Sequence, residues 1–402
     1  MKPQMPPKPL AICMLSDDFL PGATGVGSHL QAITPELVAR GHRVAVVTTR
    51  RAGEPEREVW RGVQVYRVAT VKAFGFYQAM ASTRTLGAIF DEFRPDLIHH
   101  HYLGLMLVRG MKAARERGLR QVYTYHMTEE HLTQPWPMRP LRGLLAREIV
   151  RRCNQMDLVI SVSRNLVHQL RAKGISAPME YVSNPVNFSD TRRVNPAPRD
   201  AAGFVVMFAG RLNPEKNLQL LLRGFAQLLP SVPEARLWIA GRGAEHTKLQ
   251  RLCHELRIQN RVSFLGFLSS AELAARYAAC DVFVLPSLVE TQGLVAMEAM
   301  WFSKPVVLTR CLVSATELVE DGRSGRLVNP GDPTELASAL RELATDEALR
   351  LAWGQRGRDI AQAFVPTAVT ERLTASYHAH ATVPLADGAR QGNWRRVHAE
   401  RR

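Results

Sequence analysis

The chain is 402 residues long, more than one hydrophobic core usually supports, so we expect two domains. Hydrophobic residues make up 46% and charged residues 22%, as in a soluble globular protein, and no apolar run is long enough for a membrane-spanning helix. The formal net charge of +15 favours a negatively charged partner: nucleic acid, an anionic membrane surface or a phosphate-bearing ligand.

The N-terminal segment has prolines where a signal peptide needs an apolar helical core, so we expect a short Pro-rich lead-in before the first strand. Five cysteines are scattered along the chain without a CxxC motif: Cys13, Cys153, Cys253, Cys280 and Cys311. This spacing predicts reduced core residues in a cytosolic protein, and it argues against a zinc site or a disulfide framework.

The first half alternates short β-rich runs with helical patterns. The predicted strands are 10–15, 43–49, 63–68, 96–101, 121–126, 157–163 and 179–184. This alternation indicates a parallel sheet with helices on both faces.

A polar, Pro-containing stretch at 189–203 predicts a linker, after which the pattern restarts. The second set of predicted strands is 204–210, 236–241, 262–267, 281–287, 305–309 and 325–330. We therefore expect an α/β protein with two doubly wound, Rossmann-like domains that face a central cleft, with ligands outside the carboxyl ends of the strands. The expected segments are a domain at 1–190, a domain at 191–365, a C-terminal helix at 366–381 that crosses back to the first domain, and a basic disordered tail at 382–402.

The first predicted strand runs into a turn with Gly22, Gly25 and Gly27, before a helix that we expect to open near Ser28. Such a turn can present backbone N–H groups and a positive helix end to a phosphate. Glycine-rich turns between strands and helices are also common without a ligand, so both interpretations stay open for this turn by itself.

In the second domain, Arg211 and Lys216 follow the predicted strand 204–210. An arginine fork and a lysine point charge at one strand end suit a diphosphate. The alternative is an ordinary basic turn in contact with solvent.

The stretch ETQGLVAME places two glutamates around a predicted helix start. We expect the amides of Gly293, Leu294 and Val295 to face the cleft and to hold a phosphate. Glu290 precedes the helix, and Glu298 lies about 7.5 Å along the helix axis from Gly293. Carboxylates accept hydrogen bonds from paired sugar hydroxyls. One glutamate could therefore bind a hexose and the other a ribose, with a diphosphate between them. Such a ligand is a sugar nucleotide. The alternative, two surface acids on an amphipathic helix, leaves the basic residues at the neighbouring strand end unexplained.

These motifs make the chain resemble the family 4 glycosyltransferases of the GT-B type, over roughly residues 9–380. In the second half the resemblance is carried by GRLNPEKNL, IAGRGAEHTKLQ, VSFLGFL, ACDVFVLPS, ETQGLVAMEAM and ELVEDGRSGRLVNPGDPTELASAL, in this order. In the first half it is carried by PGATGVGSH, ELVARGHRVAVVT, RPDLIHHH and YTYHMTEE.

The resemblance implies a role for each matching residue. Gly25 offers its backbone amide to the donor phosphate, while Arg211 and Lys216 neutralise the diphosphate leaving group. Glu290 orients the hydroxyls of the donor hexose, and Glu298 binds the ribose diol.

The resemblance also implies that His126 lies beside the anomeric carbon, that the α-configuration of the sugar is retained, and that neither a metal nor a cofactor beyond the nucleotide sugar is needed. The run His99, His100 and His101 suggests a metal site, but neighbours on a strand point to opposite faces. At most His99 and His101 can converge, and we expect one of them to line the cleft.

The sequence departs from the family pattern at four positions. Thr24 replaces a glycine of the phosphate turn, and Leu312 and Val313 replace a glycine pair. Gln292 replaces a phenylalanine, and we expect its polar group to lie near the donor sugar and to alter the choice of hexose.

The basic charge is concentrated in the first domain, where residues 1–190 contain 25 Lys and Arg against 16 Asp and Glu. Two segments combine basic residues with apolar ones and predict a contact with an anionic membrane or a lipid acceptor. Their residues are Lys72, Phe74, Phe76 and Tyr77 in one segment, and Arg147, Arg151 and Arg152 in the other. The alternative is an ordinary core-facing helix and a loop in the cleft, with a soluble acceptor.

A nucleic-acid binder would also explain the charge, but no RNA- or DNA-binding motif is found, so we expect no nucleic-acid partner. We expect a cytoplasmic enzyme that can associate with the inner face of the membrane. The hexose, the base, the acceptor and the oligomeric state are left open.

Overall fold

The computed structural model describes residues 8–20, 25–73, 76–126, 142–186, 194–198 and 203–380, with the backbone alone at Ala73 and Phe76. Over these residues, strands and helices alternate and build two separate parallel sheets. The predicted linker at 189–203 is described only in part, and the tail at 382–402 and the lead-in at 1–7 lie outside the described residues.

The first sheet has eight strands in the order β10-β9-β8-β7-β1-β2-β4-β3, all parallel except the pair β3–β4. Its strands are β1 (Ala11–Leu15), β2 (Arg43–Thr49), β3 (Arg57–Trp60), β4 (Val63–Val68), β7 (Leu97–His100), β8 (Arg120–Tyr125), β9 (Leu158–Ser161) and β10 (Met179–Tyr181). A separate antiparallel hairpin is formed by β5 (Thr70–Ala73) and β6 (Phe76–Ala79). The helices of this domain are α1 (Gly25–Ala39), α2 (Thr83–Phe93), α3 (Leu105–Glu116), α4 (Arg142–Cys153) and α5 (Arg164–Ala172).

The second sheet has six parallel strands in the order β13-β12-β11-β14-β15-β16. They are β11 (Val205–Ala209), β12 (Arg236–Ala240), β13 (Val262–Gly266), β14 (Val282–Leu285), β15 (Val306–Thr309) and β16 (Gly325–Val328). The helices are α6 (Leu218–Leu228), α7 (His246–Glu255), α8 (Ser270–Ala279), α9 (Leu294–Trp301), α10 (Ala315–Leu318), α11 (Pro333–Thr345), α12 (Glu347–Ala361) and α13 (Pro366–His380). Short 3₁₀ turns occupy Pro214–Lys216, Gln259–Arg261 and Gln362–Phe364.

Central strands are buried on both faces because helices cover both sides of each sheet. All five residues of β1 and of β11 are buried, which explains why these strands read as continuous apolar runs without alternation. The strand order reverses beside β1 in the first sheet and beside β11 in the second. Crevices open at such reversals, so the topology places the loops after β1, β7, β11 and β14 at the two facing binding edges.

The last helix, α13, leaves the second domain and packs on the first. Val369, Leu373 and Tyr377 are buried in the same core cluster as residues of β1, β2 and α1. The Tyr377 hydroxyl lies 2.6 Å from His99 Nδ1, and an Arg40 N–H donates to the Thr367 carbonyl. The C-terminal helix therefore completes the core of the N-terminal domain.

None of the five cysteines, all of which lie in the described part of the chain, forms a disulfide, and burial raises the pKa of Cys13, Cys153 and Cys253. Cys311 is exposed and the other four are buried. In the described part of the chain, no helix is long and apolar enough to cross a bilayer.

Candidate active site

The switch point of the second sheet brings Lys216 and Glu290 together. Lys216 ends the 3₁₀ turn after β11, Glu290 follows β14, and Lys216 Nζ lies 2.5 Å from Glu290 Oε2. Both side chains are mostly buried. Arg211 follows β11 directly, keeps 61% of its side chain exposed, and lies 3.5 Å from the buried Glu215 carboxylate. Two cations thus stand at one strand end, one held by a glutamate and the other turned towards solvent.

Helix α9 begins where the predicted phosphate contact lies. Gly293 has φ of 71°, a left-handed conformation that glycine adopts without strain, and a Cβ there would lie 3.1 Å from Leu285. Among the described residues, the amides of Gly293, Leu294 and Val295 have no acceptor. A helix start with open N–H groups suits an anion.

The first domain approaches this helix start through α1. A Cβ placed on Gly25 would lie 3.4 Å from Leu294 Cδ1, so the first turns of α1 and α9 face each other across the cleft. Helix α1 begins at Gly25, three residues earlier than the predicted start at Ser28, and the Gly27 N–H donates to the Asp18 carboxylate. The predicted glycine turn is therefore partly the first turn of the helix; Gly22 and Thr24 lie outside the described residues.

Glu298 lies just over one turn into α9 and is partly buried. The Tyr277 hydroxyl donates a hydrogen bond of 3.1 Å to Glu298 Oε2. Burial raises the pKa of Glu298 to about 7, and the hydrogen bond from Tyr277 opposes this rise. The carboxylate therefore changes charge near neutral pH.

Gln292, which we expected near the donor sugar, has both ends of its side-chain amide bound within the protein. The Gln292 carbonyl accepts from the Asn184 backbone N–H at 2.9 Å and from Asn184 Nδ2 at 2.7 Å. Gln292 Nε2 donates to Ser183 Oγ at 2.7 Å, and the side chain is 4% exposed. This residue instead ties the α9 loop to the segment that follows β10.

A second polar link between the domains was not predicted. Glu317, on α10, accepts hydrogen bonds from Ser163 Oγ at 2.6 Å and from the Asn165 N–H at 2.7 Å. It also accepts from the Arg164 N–H at 3.0 Å, so a carboxylate of the second domain caps the start of α5 in the first. Val313, where the family pattern has glycine, packs on the first domain beside α5.

Histidines gather at the edge of the first sheet. His101 follows β7, His126 follows β8 and His29 lies on α1. His101 Nδ1 lies 3.1 Å from His126 Nε2, and the ring centres of His29 and His126 are 4.9 Å apart. The role of His29 was not predicted, since a helical position carries no pattern that singles it out.

Burial keeps these imidazoles neutral. It lowers the pKa of His29 to about 3, with the Asn184 side chain opposing the change. Burial also lowers the pKa of His101 and of His126 well below the usual value, and neighbouring histidines lower both further.

The strand histidines divide between the two faces as expected from strand geometry. His99 lies on the same face as His101, with ring centres 3.9 Å apart, but its nitrogens contact Tyr377 and Thr124. His100 points the other way and meets Gln121. The third ring of the cluster with His101 and His126 is therefore that of His29, and not that of His99 or His100.

Asp17 is a further buried acid at this edge. It follows β1, and its Oδ1 accepts from the Ala79 N–H at 3.1 Å, which fixes the β5–β6 hairpin beside the cleft. Burial raises the pKa of Asp17 to about 7, while the hydrogen bond from Ala79 opposes the shift.

The two predicted membrane segments are described unevenly. Phe74 lies outside the described residues, and the side chain of Phe76 is likewise not described. Lys72 and Tyr77 face each other across the β5–β6 hairpin, and both are exposed.

On α4, Arg147 is exposed, whereas Arg151 and Arg152 both pair with Glu148. The helix also leaves Leu144 70% exposed. The pairing reduces the positive charge that this helix offers to a surface.

Both halves of the chain match glycosyltransferase family models. Residues 23–190 match the model described as Glycosyltransferase Family 4, and residues 191–360 match Glycosyl transferases group 1. A D-inositol 3-phosphate glycosyltransferase of Nocardioides sp. is 30% identical, over 82% of this chain and 79% of that protein. The chain belongs to glycosyltransferase family 4.

Other relatives of this family 4 glycosyltransferase differ in the acceptors that their names give. A GDP-mannose-dependent α-(1-6)-phosphatidylinositol monomannoside mannosyltransferase of Mycolicibacterium smegmatis is 29% identical, over 86% of this chain and 92% of that protein. An α-monoglucosyldiacylglycerol synthase of Streptococcus pneumoniae is 25% identical, over 74% and 70%.

Solved structures confirm the predicted GT-B fold. Sucrose-phosphate synthase from Thermosynechococcus elongatus has a TM-score of 0.76 at 21% identity, covering 92% of this chain and 98% of that one. Anabaena HepE, solved in complex with UDP-glucose, has a TM-score of 0.72 at 22% identity, covering 92% and 100%.

Proposed function

We propose that this glycosyltransferase moves an α-linked hexose from a UDP- or GDP-sugar to an acceptor hydroxyl, with retention of configuration and without a catalytic metal ion. The observation that carries the proposal is the Lys216–Glu290 pair at the switch point of the second sheet, beside the open amides of α9. A cation, a carboxylate and a helix start with open N–H groups at neighbouring strand ends support this proposal.

The leaving diphosphate gains negative charge as the sugar departs. Lys216, the exposed Arg211 and the start of α9 are placed to stabilise that charge, which is where fixed positive groups lower a barrier most. Gly25, facing Leu294, brings the start of α1 to the same anion. These groups perform the role that a divalent metal plays in other sugar transferases.

Each of the two glutamates binds one of the two sugars of the donor. Glu290 accepts hydrogen bonds from hydroxyls of the hexose, and its contact with Lys216 holds the Glu290 carboxylate in position. Glu298, further along α9 beside Tyr277, accepts from the ribose diol when it is ionised.

In the proposed reaction the acceptor hydroxyl attacks from the same face that the diphosphate leaves. The bond from the anomeric carbon to the phosphate oxygen breaks, and a bond to the acceptor oxygen forms. The acceptor proton passes to the departing phosphate oxygen, and His126 lies beside the reacting carbon. The family-matched carboxylates Glu290 and Glu298 are assigned to the two sugars of the donor and not to a nucleophile, so we favour this route over a covalent intermediate.

For the acceptor we propose a lipid or a lipid-linked glycan at the membrane surface. Exposed Leu144 and Arg147 on α4, with Lys72 and Tyr77 on the hairpin, give the acceptor-binding domain an apolar and basic surface. The names of the M. smegmatis and S. pneumoniae relatives also give lipid acceptors. The enzyme would then work on the inner face of the cytoplasmic membrane.

A soluble acceptor is the second candidate. The Nocardioides relative, at 30% identity, has a small polar acceptor in its name. The Arg151 and Arg152 pairs with Glu148 also weaken the membrane surface.

A ligand panel tests the donor, because a ligand that binds the folded state raises its stability by about 2.7 kcal/mol at a hundred times its Kd. We expect UDP or GDP to raise the melting temperature more than ADP does, and the matching sugar nucleotide to support transfer with EDTA present. NMR of the product would give an α-linkage. A β-linked product, or a rate that EDTA abolishes, would contradict the mechanism.

A further inference from the structure

We propose that His29, His101 and His126 form a binding site for one zinc-class metal ion, and that its occupation blocks sugar transfer. The metal-binding part of this inference stands on the histidine cluster alone. The inhibitory part rests on the proposed function, since it needs His126 to lie at the reacting carbon.

The geometry brings three imidazoles to one point. One nitrogen of each ring lies within 4.8 Å of a nitrogen of the other two. The closest pair, His101 Nδ1 and His126 Nε2, is 3.1 Å apart. Tetrahedral zinc with bonds of about 2.0–2.1 Å separates its ligands by about 3.3 Å, so this pair already has ligand spacing and the third ring must close by at most about 1.5 Å.

Unsatisfied nitrogens give a second, independent reason. His29 is 4% exposed, and neither of its ring nitrogens has a partner in good hydrogen-bond geometry among the described residues, although the Asn184 side chain lies close enough to raise its pKa. His101 is 2% exposed, and its Nε2 also lacks one. Buried polar atoms are nearly always satisfied, because each one left alone costs about 1–3 kcal/mol. An ion at the centre of the cluster would supply the missing partner of His29.

The donor set selects the class of metal. Neutral imidazoles bind zinc, copper, nickel and iron well, whereas magnesium and calcium prefer oxygen ligands. Three histidines with one open position form the donor set of catalytic zinc sites. The Asn184 Oδ1 is buried, has no hydrogen-bond donor among the described residues, and lies beside His29 and His126. It can take the fourth position, as can a water molecule.

Binding exchanges contacts without any redox step. The ion replaces the hydrogen bond between His101 and His126, and the shared hydrogen moves to the opposite nitrogen of its own ring. Asn184 is held by Gln292, two residues beyond Glu290, so an occupied site adjoins the donor loop. A metal ion there occupies the space in which His126 meets the donor and the acceptor.

The test measures metal binding directly on the full-length chain. Metal-free protein with Cys311→Ser, which removes the exposed thiol as a competing ligand, is dialysed against zinc chloride and its metal content is determined. We expect one zinc ion per chain. His29→Gln and His101→Gln should each weaken binding at least tenfold, whereas the matched control His100→Gln, a buried histidine on the opposite face, should not.

Cobalt chloride gives a readout on the unmutated histidines. Tetrahedral Co²⁺ with nitrogen and oxygen ligands shows visible absorption bands, and we expect them without the strong thiolate charge-transfer bands. Absence of saturable zinc binding, equal binding in all the histidine variants, or an octahedral cobalt spectrum would overturn the site. These measurements remain decisive if a histidine variant fails to fold.

Inhibition of sugar transfer is measured in a separate experiment. We expect zinc to inhibit the Cys311→Ser enzyme at the concentration that fills the site, and EDTA to restore the rate. Stoichiometric zinc binding with full transfer activity would overturn the inhibitory part alone. If no sugar nucleotide is a donor, the proposed function fails while the dialysis and cobalt results still decide the site.

Discussion

The Nζ of Lys216 and the Oε2 of Glu290 form an ion pair that joins the loops after β11 and β14, the two strands at the switch point of the second sheet. The pair spans 74 residues of sequence. It holds the cation of the proposed leaving-group site and the acceptor of the proposed hexose site in one arrangement.

Replacement of Lys216 by alanine should reduce kcat by about a hundredfold or more, because one fixed charge that stabilises the leaving group is lost. The melting temperature should fall as well, because Glu290 would be left mostly buried without its partner, so the rates are compared well below the unfolding transition. Steady-state kinetics with saturating donor would measure this effect. Lys248→Ala is the matched control, since Lys248 forms an exposed ion pair with Glu245. A Lys216 variant that turns over like Lys248→Ala would refute the diphosphate role.

Replacement of Gln292 by alanine should destabilise the fold without changing the choice of donor sugar. The change leaves the Asn184 amide groups and Ser183 Oγ without their buried partner, at a cost of about 1–3 kcal/mol. Denaturant unfolding would give the loss, and competition between hexose donors would give the specificity. A switch in the preferred hexose at unchanged stability would instead support the expectation that Gln292 determines the choice of donor sugar.

Donor binding should strengthen as the pH rises through about 7, the raised pKa of Glu298. Only the ionised carboxylate is a pure acceptor for the ribose diol. Titration calorimetry from pH 6 to 8 should show this rise for the enzyme and not for Glu298→Gln. A 2′-deoxy donor should bind more weakly by about 1.5–3 kcal/mol, and Glu298→Gln should remove most of this difference.

Ionisation of the same carboxyl should have the opposite effect on the stability of the fold, which should fall as the pH rises. Its folded pKa of about 7 lies above the ordinary 4.5, so the unfolded chain loses this proton first. The stability that the protonated group contributes is present below about pH 4.5 and is lost as the pH rises to about 7. Unfolding free energies of Glu298→Gln, compared with the unchanged chain, should therefore vary less over that window.

Removal of the Glu317 carboxylate should loosen the contact between the domains. Ser163 and two amides at the start of α5 donate to it, and hydrogen bonds to a charged group are worth about 1.5–3 kcal/mol each. We expect Glu317→Ala to increase the radius of gyration in small-angle scattering and to lower the melting temperature. Glu320→Ala, which removes an exposed pair with Arg356, is the control. Equal scattering for both variants would show that Glu317 does not hold the domains together.

Membrane binding, if the lipid acceptor is right, should depend on Arg147 more than on Arg151. Each basic residue near an anionic leaflet contributes about 1 kcal/mol, but Arg151 shares Glu148 with Arg152 and brings less net charge. Co-sedimentation with neutral and anionic vesicles should show a larger loss for Arg147→Ser than for Arg151→Ser. A chain ending at Thr382 separates the effect of the basic tail. Equal binding to both vesicle types would favour the soluble acceptor.

Much of the fold could be predicted from sequence because parallel strands buried on both faces are continuous β-branched runs. The strands 43–49 and 63–68 were predicted with their observed bounds, and the other predicted strands lie within a few residues of the observed ones. The strands β3, β5 and β6 were missed, because short edge strands and hairpins lack such a run. β3 lies at the edge of the first sheet, and β5 and β6 form a separate hairpin, so all three are partly exposed.

The candidate site was predictable in part for the same topological reason. Strand ends of a parallel sheet share one edge, so Lys216 and Glu290 could be expected to lie near each other from their positions after β11 and β14. Contacts between the domains could not be predicted in this way. The partner of Gln292 is 108 residues away and that of Glu317 lies in another domain, and no local periodicity encodes such a choice.

The chain passes between the domains twice, and the Val186 N–H donates to the Phe364 carbonyl at 2.7 Å, so the two passes run side by side. The two crossings are therefore joined at the boundary between the domains, and any hinge motion of the cleft should pivot close to Val186 and Phe364. A protease cut near residue 365 would remove one of the two covalent crossings and leave α13 attached to the first domain by its buried contacts, so the two domains should separate more freely.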